Sequence, residues 1–172
     1  QVEALHLYAD YRGQELQSTD DTPTRFVSEA VSEIHEAMIQ AGLRDNLSLI
    51  VSGGIGLAEH VAKIIVCGAD VAAIDIPVLL ANQCRMCLNC QHGKPCPVQI
   101  DTVELDWSRQ RIINLFGSWH AQLIEVLGAM GIREARRLRG ERGRAMFFRD
   151  LERESFAPIF GQRIDEKVEA NS

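Results

Sequence analysis

Four of the chain's five cysteines lie within thirteen residues, at Cys84, Cys87, Cys90 and Cys96. Nothing else in the sequence restricts the fold as strongly, because whatever surrounds this stretch must leave its loop free to gather sulfur. Two Cys-x-x-Cys steps share Cys87, and Cys96 is followed by Pro97. Thiolate is a soft ligand that selects iron–sulfur clusters, zinc or cuprous ion. Two-residue gaps let a short loop curl around a compact centre, and cluster-binding runs commonly close on Cys-Pro. The spacing points first to an iron–sulfur cluster. A zinc site, or disulfides and free thiols, are the alternatives.

The setting of these thiols narrows the class further. The start of the chain shows no secretory pattern, so clustered cysteines are expected in a reducing, cytoplasmic compartment. The formal charge of −6 disfavours general nucleic-acid binding. The longest apolar run, residues 64–81, is interrupted by Asp70 and Asp75 and broken by Gly68 and Pro77, so no membrane span is expected. At 172 residues the chain can hold one ordinary core. It opens at Gln1 and runs at once into a strand-like segment, as a C-terminal piece of a longer chain would.

Residues 2–10 favour a strand, and Thr22-Pro23 has the form of a helix N-cap followed by proline. Val27, Ala30, Val31, Ile34, Ala37, Met38 and Ala41 recur at helical spacing, which predicts an amphipathic helix over 24–41, ended by Gly42. Residues 47–51 form a short continuous apolar run, as in a strand covered on both faces. A helix over 57–67, a strand over 71–74 and a short helix over 77–81 follow. Strand–loop–helix repeats of this kind imply a parallel sheet with crossover helices. Two and a half such units would leave apolar edges open, the second sign of a larger α/β domain. Beyond the cysteines, Ile112, Phe116, Trp119, Leu123, Val126, Leu127 and Met130 predict one face of a helix over 108–130, with a shorter helix over 132–139. Residues 133–153 hold eight arginines against four acids, read as a solvated face with local ion pairs or, more sharply, a docking surface. The organisation expected is a partial βα unit over 1–83, the cysteine loop over 84–101, a helical extension over 102–164 and a tail over 165–172.

Ser52-Gly53-Gly54-Ile55-Gly56 falls between an expected strand and an expected helix. Glycines there let backbone N–H groups approach an anion closely, although a ligand-free βα turn would use the same residues. Asp10, Tyr11 and Arg12 follow the first strand, at the edge of a parallel sheet where ligands bind, although an ordinary surface loop would carry the same residues. His6, His35 and His60 read as structural, His92 as a neighbour of the thiols, and Cys67 as a small buried hydrophobe.

Taken in order, Ser52-Gly53-Gly54-Ile55, Cys67-Gly68-Ala69-Asp70, Leu79-Leu80-Ala81 before Cys84, and Cys90 through Cys96-Pro97-Val98 resemble the C-terminal half of the FMN-binding domain of glutamate synthase, particularly its archaeal-type forms. Trp107 to Arg139, with Met130-Gly131-Ile132, is similar to the helices after the cluster in that family. The resemblance implies the last three βα units of a (β/α)8 barrel, with FMN at the carboxyl face beside an iron–sulfur cluster. It implies that Ser52, Gly53, Gly54 and Ile55 offer backbone N–H groups to the FMN phosphate. Cys84, Cys90 and Cys96 would fill the family's three cluster positions. The additional Cys87 favours a 4Fe–4S over a 3Fe–4S cluster. Electrons would come from a ferredoxin or an NAD(P)H-oxidising partner, with a small imine as substrate. In two places the chain departs from the family. Ala73-Ile74-Asp75-Ile76 stands where a glycine-rich turn completes the phosphate cradle, and Ala9-Asp10-Tyr11-Arg12-Gly13 stands where the large enzymes carry His-Asp-Gly-Gly. A non-catalytic electron-relay or assembly subunit without FMN, and a structural zinc barrel, are the rival expectations.

Overall fold

The computed structural model describes residues 2–16 and 25–142, together with Ile159. The chain divides into two units, Gln1–Glu141 and Arg142–Ser172, and the architecture below is that of the first. The Thr22-Pro23 cap, the arginines beyond Arg142 and the tail lie outside the described residues.

The unit is α/β. Strands β1 (Ala4–Tyr8), β2 (Ser48–Ser52) and β3 (Val71–Ala73) form one parallel sheet in the order β1-β2-β3. Helices α1 (Val27–Gln40) and α2 (Ala58–Val66) connect them, and the short α3 (Ile76–Ala81) follows β3. The long α4 (Leu105–Ala129) packs against α2 and α3.

Alternation along the strands separates two faces of the sheet. Leu49 and Val51 are fully buried, and Ala72, beside Val51 in register, packs with Ile55, Ala58 and Trp119. On the opposite face, register aligns Tyr8 with Ser52 and Ala73, and His6 with Ile50 and Val71. Tyr8 is 54% exposed and Val71 46%. Residues 47–51, expected to be covered on both faces, are therefore covered on one: Leu49 and Val51 are buried, whereas Ile50 is only half-buried.

Several element boundaries shift by a residue or two from those the periodicity predicts, and three larger departures have local reasons. Helix α1 does not include residues 25 and 26. Phe26 is extended and bridges Gln14, while the Glu15 N–H donates to the Arg25 carbonyl, so both residues are drawn into a short pairing with the loop after β1. Helix α4 begins earlier than expected. The Glu104 carboxylate accepts hydrogen bonds from the N–H groups of Asp106 (3.0 Å) and Trp107 (2.6 Å), an N-cap that sits before the apolar periodicity starts. Of the expected apolar stripe on α4, Trp119 is buried and Ile112, Leu123, Val126, Leu127 and Met130 are half-buried, but Phe116 faces away and is 49% exposed. Over 132–139 only a 3₁₀ turn forms, Ala135–Leu138. Buried Leu138 and the Arg139 side chain hold the segment against the rest of the unit, which a regular helix would carry past.

Beside the buried Leu138, that attachment is electrostatic. Asp70 accepts from Arg139 Nη1 (2.6 Å), from Arg44 Nη2 (2.9 Å) and from the Leu49 N–H (2.8 Å). Burial alone would raise the Asp70 carboxyl. The Leu49 N–H and the two guanidinium groups outweigh it and hold the group below the usual carboxylate range. Arg44, itself buried, also donates to the carbonyls of Leu47 and Gly68 and to Nδ1 of His35 (2.9 Å). A permanent donor at Nδ1 requires that nitrogen to be an acceptor, so His35 is neutral. Burial first, then Arg44 and Arg139, push its pKa below the ordinary value.

Candidate functional site

The carboxyl edge of the sheet brings together the loops that follow β1, β2 and β3. The loop after β1 is tightly built. Asp10 Oδ1 accepts from the N–H groups of Arg12 and Gln14, each at 2.8 Å, and the Gly13 N–H closes a turn on the Asp10 carbonyl at 3.0 Å. This loop presses directly on the glycines after β2. A Cβ on Gly53 would stand 2.1 Å from the Ala9 carbonyl oxygen, and one on Gly54 would stand 2.4 Å from Gly13 Cα. Both glycines also have positive φ, +94° and +67°. Gly53 and Gly54 are thus fixed by chain packing as well as by any ligand, and the ligand-free reading of these residues has a physical basis.

The same turn also leaves donors free. Gly53 and Ile55 are buried residues, and Gly54 is half-buried. Among the described residues no hydrogen bond is made by the N–H groups of Gly53, Gly54 or Ile55. Buried N–H groups are nearly always paired, so the unpaired donors at buried Gly53 and Ile55 are available to an acceptor such as an anion or water. Ser52 is buried, and its hydroxyl hydrogen-bonds His6 Nε2 at 2.8 Å across the β1–β2 pair. That pairing was not legible before the strand register was known, although it places both residues on the uncovered sheet face. Asp75, at the end of β3, accepts from the Ile76 N–H at 2.6 Å and caps α3, so its carboxylate is bound to its own helix.

The cysteines lie beyond α3. Ser108 Oγ donates to Asn82 Oδ1 at 2.5 Å and Arg111 Nε donates to the Ala81 carbonyl at 3.1 Å, which fastens the start of α4 to the end of α3 and closes the loop at its base. Cys84 and Cys96 are half-buried, Cys87 and Cys90 are exposed, and Cys67 is buried. The Met86 N–H approaches Cys84 Sγ at 3.4 Å. The Cys96 thiol is lowered by the N–H groups of Ile100, Val98 and Gln99, which favour thiolate. All non-glycine residues with positive φ among the described residues fall in or beside this loop: Gln83, Met86, Leu88 and Gln99. No three of the described His, Cys, Asp or Glu side chains are gathered closely enough to hold a metal ion. The donor chemistry fits a soft metal centre, but among the described residues the four sulfurs are not gathered around one point.

These features define a class: an α/β chain with a parallel sheet, a glycine turn at the end of its central strand and a thiol-rich loop after its last. Residues 17–133 match the family model described as the conserved region in glutamate synthase. The chain is 32% identical over 122 residues to the archaeal glutamate synthase [NADPH] of Methanocaldococcus jannaschii, covering 67% of this chain and 24% of that protein. It is 30% identical over 120 residues to the enzyme of the same name from Archaeoglobus fulgidus, covering 66% of this chain and 24% of that one. The glutamate synthase [NADPH] large chain of Azospirillum brasilense is 28% identical over 110 residues, 60% of this chain and 7% of that protein. The chain belongs to the glutamate synthase family. It spans about a quarter of the length of the archaeal relatives it matches. Among the described residues no helix is long and apolar enough to cross a membrane.

Proposed function

We propose that this chain is the C-terminal part of the synthase barrel of a glutamate synthase-like iron–sulfur flavoprotein. Residues 1–83 would supply the last three βα units of a (β/α)8 barrel, 84–101 the cluster loop, 102–164 a helical extension and 165–172 a tail. The observation that carries the reading is the run of unpaired N–H groups at Gly53, Gly54 and Ile55, in a chain whose family match takes in both this turn and the cysteine loop. With Ser52, these residues would hold the phosphate of FMN. Cys84, Cys87, Cys90 and Cys96 would hold a 4Fe–4S cluster, or three of them a 3Fe–4S cluster. When bound, the two groups would together supply redox chemistry, drawing on a ferredoxin or NAD(P)H-oxidising partner to reduce a small imine to glutamate or a related amine in the cytoplasm. The chain's own part is to bind and orient. The glycine turn fixes an anion against the strand ends, and the loop stapled by Asn82–Ser108 holds its sulfurs on a rigid base.

Anaerobic reconstitution of the intact protein with iron and sulfide tests the cluster. About four irons per chain are expected, and Cys87→Ser should leave a three-iron centre visible by EPR. Zinc as the sole bound metal would overturn the cluster in favour of a structural zinc site. A second reading, a relay or assembly subunit without FMN, is favoured by Asp75, a carboxylate where the family's phosphate cradle closes on glycine. Flavin extraction decides between them, since stoichiometric FMN rejects the relay.

A further inference from the structure

Three free N–H groups are a partial site for a phosphate monoester, which carries close to two negative charges at neutral pH and is held best where a cation joins the backbone donors. The sequence around the sheet's carboxyl edge offers one candidate. Among residues 9–16, 53–57 and 74–76 the single Lys or Arg is Arg12.

The Arg12 backbone sits against the glycine turn. A Cβ on Gly54 would stand 3.2 Å from the Arg12 carbonyl carbon. The Arg12 backbone is fixed, because its N–H donates to Asp10 Oδ1. Its side chain is exposed and is steered by its neighbour. Nε donates to the Tyr11 hydroxyl at 2.8 Å, and the guanidinium lies 5.2 Å from the Tyr11 ring centroid. Among the described residues Arg12 forms no ion pair, and neither do Arg85, Arg111, Arg133 and Arg136, whereas Arg25 and Arg44 do. A guanidinium held by an aromatic neighbour and lacking a carboxylate presents its two terminal nitrogens as a fork suited to phosphate oxygens.

We propose that Arg12 is the phosphate-binding cation of the site formed by Ser52, Gly53, Gly54 and Ile55. It supplies, from the loop after β1, positive charge that the turn after β3 lacks. This rests on the reading of that turn as an FMN phosphate site. It adds a recognition residue at a position where the large enzymes' His-Asp-Gly-Gly carries glycine.

The test titrates FMN and riboflavin against the intact protein stripped of flavin, reading flavin fluorescence. Riboflavin lacks the phosphate, so the ratio of the two affinities isolates the contribution of the anion. For the native protein, FMN should bind more tightly than riboflavin. Arg12→Gln should weaken FMN roughly tenfold or more and leave riboflavin unchanged, and Arg12→Lys should recover part of the loss. A native protein that does not favour FMN over riboflavin overturns the anion site and the role of Arg12 with it. A native preference that survives Arg12→Gln overturns the role of Arg12 alone.

Discussion

The glycine turn after β2 and the cysteine loop after α3 both depend on left-handed backbone, and they obtain it in opposite ways. In the turn, positive φ falls on Gly53 and Gly54, where a side chain would collide with Ala9 or Gly13. In the loop it falls on Gln83, Met86, Leu88 and Gln99, residues that pay a steric penalty of about 1 kcal/mol or more each for adopting it. The turn is held by packing against a neighbouring loop. The loop has no such support, since Leu88 is 41% exposed and Cys87 and Cys90 are exposed as well. If the four thiols hold a metal as proposed, its bonds would offset that strain, whereas the turn is shaped by the fold.

The sharpest way to break this contrast is Gly53→Ala. A Cβ 2.1 Å from the Ala9 carbonyl oxygen, at a φ of +94°, forces the two loops apart. A loss on the order of 3 kcal/mol is expected, with or without cofactor. Denaturant unfolding of the intact protein checks it, and a near-native midpoint would show that the turn is not packed as described. Gly56→Ala is the internal control. Nothing lies within 4 Å of its would-be Cβ, so a change within about 0.5 kcal/mol is expected.

An intermediate effect is expected from pH, and it bears on neither region directly. His35 is neutral in the fold with a lowered pKa, so the unfolded chain takes up its proton first, near about pH 6.5. The stability due to His35 is therefore present above that value and declines as pH falls through it. Asp70, also lowered, contributes stability above about pH 3.9 that is lost on further acidification. Asp70→Asn should remove the second phase and leave the first, as read from unfolding midpoints against pH.

The smallest effect sharpens the contrast at the loop. Leu88→Gly relieves a left-handed residue, partly offset by the greater freedom of glycine in the unfolded chain, and should stabilise the metal-free protein by about 0.5 kcal/mol or less. In the reconstituted protein the gain should shrink, because bound metal already holds the conformation. Hydrogen exchange at Asn89 and Cys90 in both forms measures it. Equal gains in the two would remove the proposed link between strain and metal.

What the sequence disclosed and what it withheld divide along the same physical line. The strands and the main helices were legible because apolar periodicity and glycine placement are local, and the family through the resemblance of the motifs around Ser52 and the cysteines. Cys67 could be read as buried from its place at a helix end, and the structure bears that out. The start of α1 was missed because the bridge between Gln14 and Phe26 competes with helix, and no local pattern encodes that pairing. The Arg139–Asp70 contact joins residues 69 positions apart, so Arg139 could be read only as one more member of an arginine-rich surface. At the candidate site, Ser52 to Ile55 were identifiable by type, whereas the unpaired state of their N–H groups depends on how the loop after β1 closes over them.

The staple between α3 and α4 has one further consequence. Asn82–Ser108 and Ala81–Arg111 bring the two ends of the intervening segment together without using any residue within it. Closing a chain of that length in a different sequence costs little more entropy than closing it in this one. Residues 85–103 are therefore the part of the segment that neither end depends on, since Glu104 caps α4 and the N–H groups of Gln83 and Cys84 close α3. A short Gly/Ser linker spliced between the same two ends should leave the core around Trp119 in place.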